Sequence, residues 1–129
     1  MKNNKKRKFI FIGLIILLIC VLCVIILFFT KDRTISTVKL ETQTNDIYEW
    51  EYKIDNKKIV KFVERKRSGD FDDKGSGIIT EKYIFKALKP GKTTITFTFV
   101  NKNNKSFGEI KTYKAVVDKK LHLTINSMT

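Results

Sequence analysis

Apolar and polar positions follow two different rhythms along this chain, and the change falls near residue 30. Residues 9–29 carry no charged or strongly polar side chain. As a helix rising about 1.5 Å per residue, such a run extends about 31 Å and matches a hydrocarbon core of about 30 Å. Beyond it the period shortens to two. Tyr48, Trp50, Tyr52 and Ile54 are large and apolar, while Glu49, Glu51 and Lys53 between them are charged. That spacing predicts a strand with one face buried and one in water, with Trp50 in a core. Residues 94–99 alternate likewise, and 38–40, 59–63, 78–88, 110–117 and 121–125 are further strand candidates. Between them lie clusters with turn chemistry at 55–58, 89–92, 101–105 and 118–120. Two longer polar stretches, 42–47 and 65–77, are expected as loops, where binding usually resides.

Seven short strands separated by turns predict an all-β fold, an immunoglobulin-like antiparallel β-sandwich preceded by one N-terminal transmembrane helix. The expected organisation is a cytoplasmic basic tail (1–8), an anchor (9–29), a short linker or first strand (30–37), the sandwich (38–125) and a tail (126–129). The exit from the apolar run, Leu27-Phe28-Phe29-Thr30-Lys31, offers no small residue for cleavage, so the run is expected to stay as an anchor.

Charge adds an orientation. Lys2, Lys5, Lys6, Arg7 and Lys8 precede the span and supply +5 of the formal +13. This asymmetry predicts a cytoplasmic N-terminus and an extracytoplasmic C-terminal domain. Lipid is thus one expected partner, through residues 9–29. Both cysteines, Cys20 and Cys23, fall inside the apolar run, so the exported part must hold its fold by packing without disulfides.

Candidate chemistry is sparse. Glu49/Glu51 and Asp72/Asp73 are carboxylate pairs, yet neither has a histidine, nucleophile or metal ligand at a useful spacing. The single histidine, His122, reads as a surface or packing residue. An enzyme is not expected, nor a metal site, a cofactor or nucleic acid. The basic groups at Lys57-Lys58, Arg65-Lys66-Arg67 and Lys119-Lys120 are scattered and read as a weakly cationic surface.

The order of segments adds a further reading. Thr44-Asn45-Asp46-Ile47-Tyr48-Glu49-Trp50-Glu51-Tyr52 is followed by Ile59-Val60 and Gly75-Ser76-Gly77. Then come Phe85-Lys86-Ala87-Leu88-Lys89-Pro90-Gly91 and Thr93-Thr94-Ile95-Thr96-Phe97. From about residue 38 to 117 the series resembles the chagasin family of protein inhibitors of papain-like cysteine peptidases. The resemblance implies three loops at one end of an immunoglobulin-like sandwich. Together they wedge reversibly and non-covalently into the peptidase cleft, covering the catalytic cysteine without being cleaved. It places the first loop at Thr44, Asn45, Asp46 and Ile47, just before the family's aromatic-x-Trp, here Tyr48 and Trp50. The second falls at Gly75, Ser76, Gly77 and Ile78, keeping two of that loop's three glycines. The third falls at Asn101, Lys102 and Asn103, where the family carries Arg-Pro-Trp. Gly75 and Gly77 are equally open to a plain turn role. The implied function is a membrane-anchored, extracytoplasmic inhibitor with a papain-like cysteine peptidase as partner. The alternative is a non-inhibitory immunoglobulin-like binding or adhesion module of the cell envelope. Geometry separates them first: inhibition by the family's mode requires all three loops at one end.

Overall fold

The computed structural model of the protein describes residues 2–29, 32–43 and 47–128. It divides into two compact units, Met1–Asp32 and Arg33–Thr129. The first is the helix α1, Lys2–Phe29, apolar on every side from Phe9 onward. Its mean hydropathy reaches 3.7, and by length and composition it is able to cross a membrane; a signal sequence passes the same test. The helix begins earlier than the apolar run because Lys and Arg are good helix formers and no Pro or Gly interrupts residues 2–8.

The second unit has seven strands: β1 Ile35–Gln43, β2 Tyr48–Ile54, β3 Val60–Phe71, β4 Gly77–Ala87, β5 Gly91–Asn101, β6 Phe107–Val117 and β7 Leu123–Ser127. They form two antiparallel sheets, ordered β1-β4-β3 and β2-β5-β6-β7. Alternate positions of each strand turn inward, as the period of two predicts. Val38, Leu40, Trp50, Ile54, Tyr83, Phe85, Ile95, Phe97 and Ala115 fill the space between the sheets. Trp50 is 4% exposed, whereas Tyr52, its neighbour on the same face, is 38% exposed. Tyr52 lies at the flank where the edges of β2 and β3 face each other, yet its ring still packs against Phe62, Tyr83, Phe85 and Phe97.

The stretch 65–77 is not a loop. Strand β3 continues to Phe71, and only residues 72–76 turn the chain into β4. Alternation is hidden there because both faces of 64–70 are polar, so the pairing with β4 carries the strand. A bulge between Phe62 and Glu64 also shifts its phase. Arg65 and Arg67 thereby stand opposite the inward-facing Tyr83 and Glu81. The first polar stretch also starts later than expected, since Thr42 and Gln43 belong to β1. His122 lies in the turn before β7 rather than within the strand, with Nδ1 3.4 Å from Asp118.

At the start of β5, Gly91 adopts φ 151°, and a Cβ there would stand 2.6 Å from Ile59 Cδ1. Glycine is required at this close approach between β5 and the β2–β3 turn.

Candidate functional site

Strand register decides where the loops lie. In one sheet Gln43, the last residue of β1, stands opposite Ile78 at the start of β4. The β1–β2 connection and the β3–β4 turn therefore leave from the same end. In the other sheet Tyr48, the first residue of β2, stands opposite Asn101, the last of β5. That places the β5–β6 turn beside the other side of the first connection. A backbone bond seals the two, with Lys102 N–H donating to the Ile47 carbonyl at 2.8 Å. All three segments thus emerge from one end, the tip. The chain enters the domain at the opposite end, the base, where Ala87 N–H donates to Thr34 O and Leu123 N–H to Arg33 O.

Two of the three loops are each held by a short polar side chain. In the β3–β4 turn, Asp72 Oδ1 accepts from Lys74 N–H at 2.9 Å and Ser76 N–H at 2.8 Å. Gly75 takes φ 76°, a left-handed conformation that suits glycine. In the β5–β6 turn, Asn101 Oδ1 accepts from Asn103 N–H at 2.8 Å and Asn104 N–H at 3.3 Å. Asn101 itself is 5% exposed. Its side chain therefore shapes the turn from within, a role its place in the sequence does not reveal, and leaves Lys102 and Asn103 as the exposed positions. Thr44, Asn45 and Asp46 lie outside the described residues. Gly77 and Ile78 open strand β4 instead of lying in the loop, and Ile78 is exposed together with Ile47.

Sequence reasoning missed one tip residue. Phe107, the first residue of β6, is 74% exposed directly after the third loop. With Ile47 and Ile78 it gives the tip three exposed apolar side chains, the composition expected at the centre of a protein interface. Its signal was an aromatic residue immediately after the polar run 101–106.

Beneath the tip lies a buried polar cluster. Glu81 is 3% exposed, with Arg67 Nε 3.1 Å from one carboxylate oxygen and the Tyr83 hydroxyl donating to the other at 2.7 Å. The same hydroxyl stands 3.2 Å from the Trp50 carbonyl, and Trp50 Nε1–H donates to Glu41 O at 3.2 Å. This chain of bonds links β3, β4, β2 and β1 just below the loops. Burial, and then the bond to Glu81, push the Tyr83 hydroxyl up to about 12 from its usual 10. Its folded-state value lies above the unfolded one, so its contribution to stability is complete below pH 10 and is lost as pH rises toward about 12. A Tyr83→Phe variant is expected to lose stability less steeply than the parent across that window, as read from urea midpoints at successive pH values. Equal slopes would place the alkaline transition elsewhere.

Among the described residues no group of three or more His, Cys, Asp or Glu is placed to hold a metal ion. What the tip offers is one end shared by three loop segments, two of them braced by Asp72 and Asn101, with Ile47, Ile78 and Phe107 exposed there.

Comparison with known proteins gives this geometry a context. The model of a family described as chagasin family peptidase inhibitor I42 matches residues 31–117. Among solved structures, the crystal structure of the cysteine protease inhibitor EhICP2 from Entamoeba histolytica is similar, with a TM-score of 0.52 and 19% sequence identity. The match covers 64% of this chain and 77% of that one, and at this identity it speaks for the fold. No curated protein matches.

Proposed function

The chain belongs to the chagasin family of peptidase inhibitors, and on that premise we propose that it is a membrane-anchored inhibitor of papain-like cysteine peptidases. In this reading the tip enters the peptidase cleft as a reversible, non-covalent wedge. Contact falls to the 44–47 segment, the 75–78 segment and the exposed Lys102 and Asn103, with Phe107 added from the structure. Helix α1 holds the domain at the membrane, the five basic residues before its apolar run keep the N-terminus cytoplasmic, and the sandwich faces the extracytoplasmic side.

One observation supports this reading above the rest: the two strand registers bring all three loops to a single end. Loops on separate faces have no means of entering one cleft together. Rigidity adds to it, since loops held by Asp72 and Asn101 lose little freedom on binding.

The test is direct. The full chain in detergent micelles is expected to inhibit a papain-like peptidase competitively, with a dissociation constant of about 1 μM or tighter, some 8 kcal/mol of binding free energy. Absence of inhibition at about a hundred times that concentration, with Trp50 emission showing a folded domain, would overturn the inhibitor reading. That result would leave the non-inhibitory envelope-binding module as the remaining account.

A further inference from the structure

The domain's positive charge is unevenly divided. With the registered strands cut at mid-length, the tip half holds eight Lys and Arg and eight Asp and Glu among the described residues. The base half holds twelve and three. All the net charge of the described domain therefore lies at the end where the chain enters.

The arrangement of that end concentrates the charge further. Three turns lie there, β2–β3, β4–β5 and β6–β7; Leu88 N–H donates to Ile59 O between the first two, and Leu123 N–H at the start of β7 donates to Arg33 O of the entering chain, each at 2.8 Å. Arg33, Lys57, Lys58, Lys89, Lys119 and Lys120 are exposed on these segments, and Leu88 is exposed among them. Asp55 and Asp118 oppose them in the turns, and Asp32 lies beside Arg33 in sequence. Asp118 is occupied locally: its carboxylate accepts from Lys120 N–H at 2.8 Å and His122 N–H at 2.9 Å. Among the described residues, no ion pair involves Lys57, Lys58, Lys89, Lys119 or Lys120.

We propose that the base is a cationic cap that seats on the anionic headgroups of a lipid bilayer. The inference rests on the anchoring role given to α1 above. Three residues, 30–32, separate the end of α1 from Arg33. Fully extended they span about 10 Å, roughly one Debye length at moderate salt. A domain held so close brings its basic end within reach of the headgroup charge, and each cation at an anionic surface is worth about fivefold in partition. Seating the base also leaves the tip, about 30 Å away along the nine-residue β1, turned toward the aqueous side.

Lysine footprinting tests the cap on the full chain. The chain is incorporated into nanodiscs of phosphatidylcholine, or of phosphatidylcholine mixed with phosphatidylglycerol, and acylated with an amine-reactive ester. Labelling at Lys57, Lys58, Lys89, Lys119 and Lys120 is expected to fall about threefold or more in the anionic discs. Labelling at Lys74, Lys102 and Lys105 on the tip should stay constant, and high salt should erase the difference. A Lys57→Glu/Lys89→Glu/Lys120→Glu variant should lose the protection at Lys58 and Lys119 while keeping the parent's Trp50 emission. Equal labelling in the two discs, or equal protection at base and tip, overturns the cap. Inorganic polyphosphate added to neutral discs provides a further arm; if it shields the base lysines as well as phosphatidylglycerol does, a soluble polyanion is the ligand and the lipid assignment falls. Retention in neutral discs reports α1 alone. A chain that fails to enter neutral discs overturns the anchor, and its binding to anionic discs still reads the cap.

Discussion

Phe97→Ala is expected to bring the domain to the edge of unfolding. Phe97 is fully buried at the centre of β5, and its ring meets Tyr83 at 4.9 Å, Tyr113 at 5.6 Å and Phe85 at 6.2 Å between centroids. Those contacts span both sheets, so the cavity left by truncation has walls that cannot collapse together. Losses of about 3–5 kcal/mol are usual for such a change, against a total stability of about 5–15 kcal/mol. Trp50 is the single tryptophan and is buried, so its emission reports unfolding without a label. In urea the midpoint should fall by about 1.5 M or more. Phe97→Leu, which keeps most of the volume, should cost less than about 2 kcal/mol. A loss below about 1 kcal/mol for the alanine variant would mean that this layer is not the packed centre of the sandwich.

The second large effect concerns activity. Combining Asp72→Ala with Asn101→Ala removes the acceptor that organises each of two tip turns while leaving every exposed contact side chain in place. Four backbone N–H groups lose their side-chain partner: those of Lys74, Ser76, Asn103 and Asn104. On the inhibitor reading proposed above, the turns must then be ordered when a peptidase binds, at a cost of about 0.5–1.5 kcal/mol for each element immobilised. Taken together, about 3 kcal/mol of lost binding corresponds to roughly a hundredfold weaker inhibition. Stability should fall less than in Phe97→Ala, because the Asp72 bonds are exposed and the Asn101 bonds only part-buried, so water replaces most of what is lost. The measurement is the inhibition constant set beside the urea midpoint of the same variant. Unchanged inhibition would remove both turns from the contact surface and shift attention to the flank between β2 and β3.

The parts of this fold that the sequence discloses are those where burial acts on one face only. Residues 48–54 alternate because the Trp50 face is packed and the Glu49 face is wet. Residues 64–70 do not alternate, because Arg65 and Arg67 replace apolar groups on the inward side near the sheet edge. The bulge at Val63 that sets their phase has no sequence signature either. Polarity and turn chemistry indicated the three loop segments, and the resemblance to a family assigned them contact residues. That they share one end follows from pairing between residues far apart, such as Gln43 with Ile78 and Tyr48 with Asn101. Local composition cannot express such pairing. Asn101 shows the same limit at the scale of one side chain: the resemblance places it in a contact loop, while its neighbours enclose it.

Strand β1 joins the chain's point of entry to the first loop segment and lies antiparallel along β4 over nine paired residues. A pull between the point of entry and the β3–β4 turn, where β4 begins, runs parallel to the strands, across ladder bonds that lie perpendicular to them. Such a load strains the β1–β4 bonds together in shear instead of peeling them one at a time. Resistance to force then depends on the unfolding rate of the whole sheet and not on its weakest end. The path from the chain's entry to the tip thus resists extension along the strands more than it resists peeling across them.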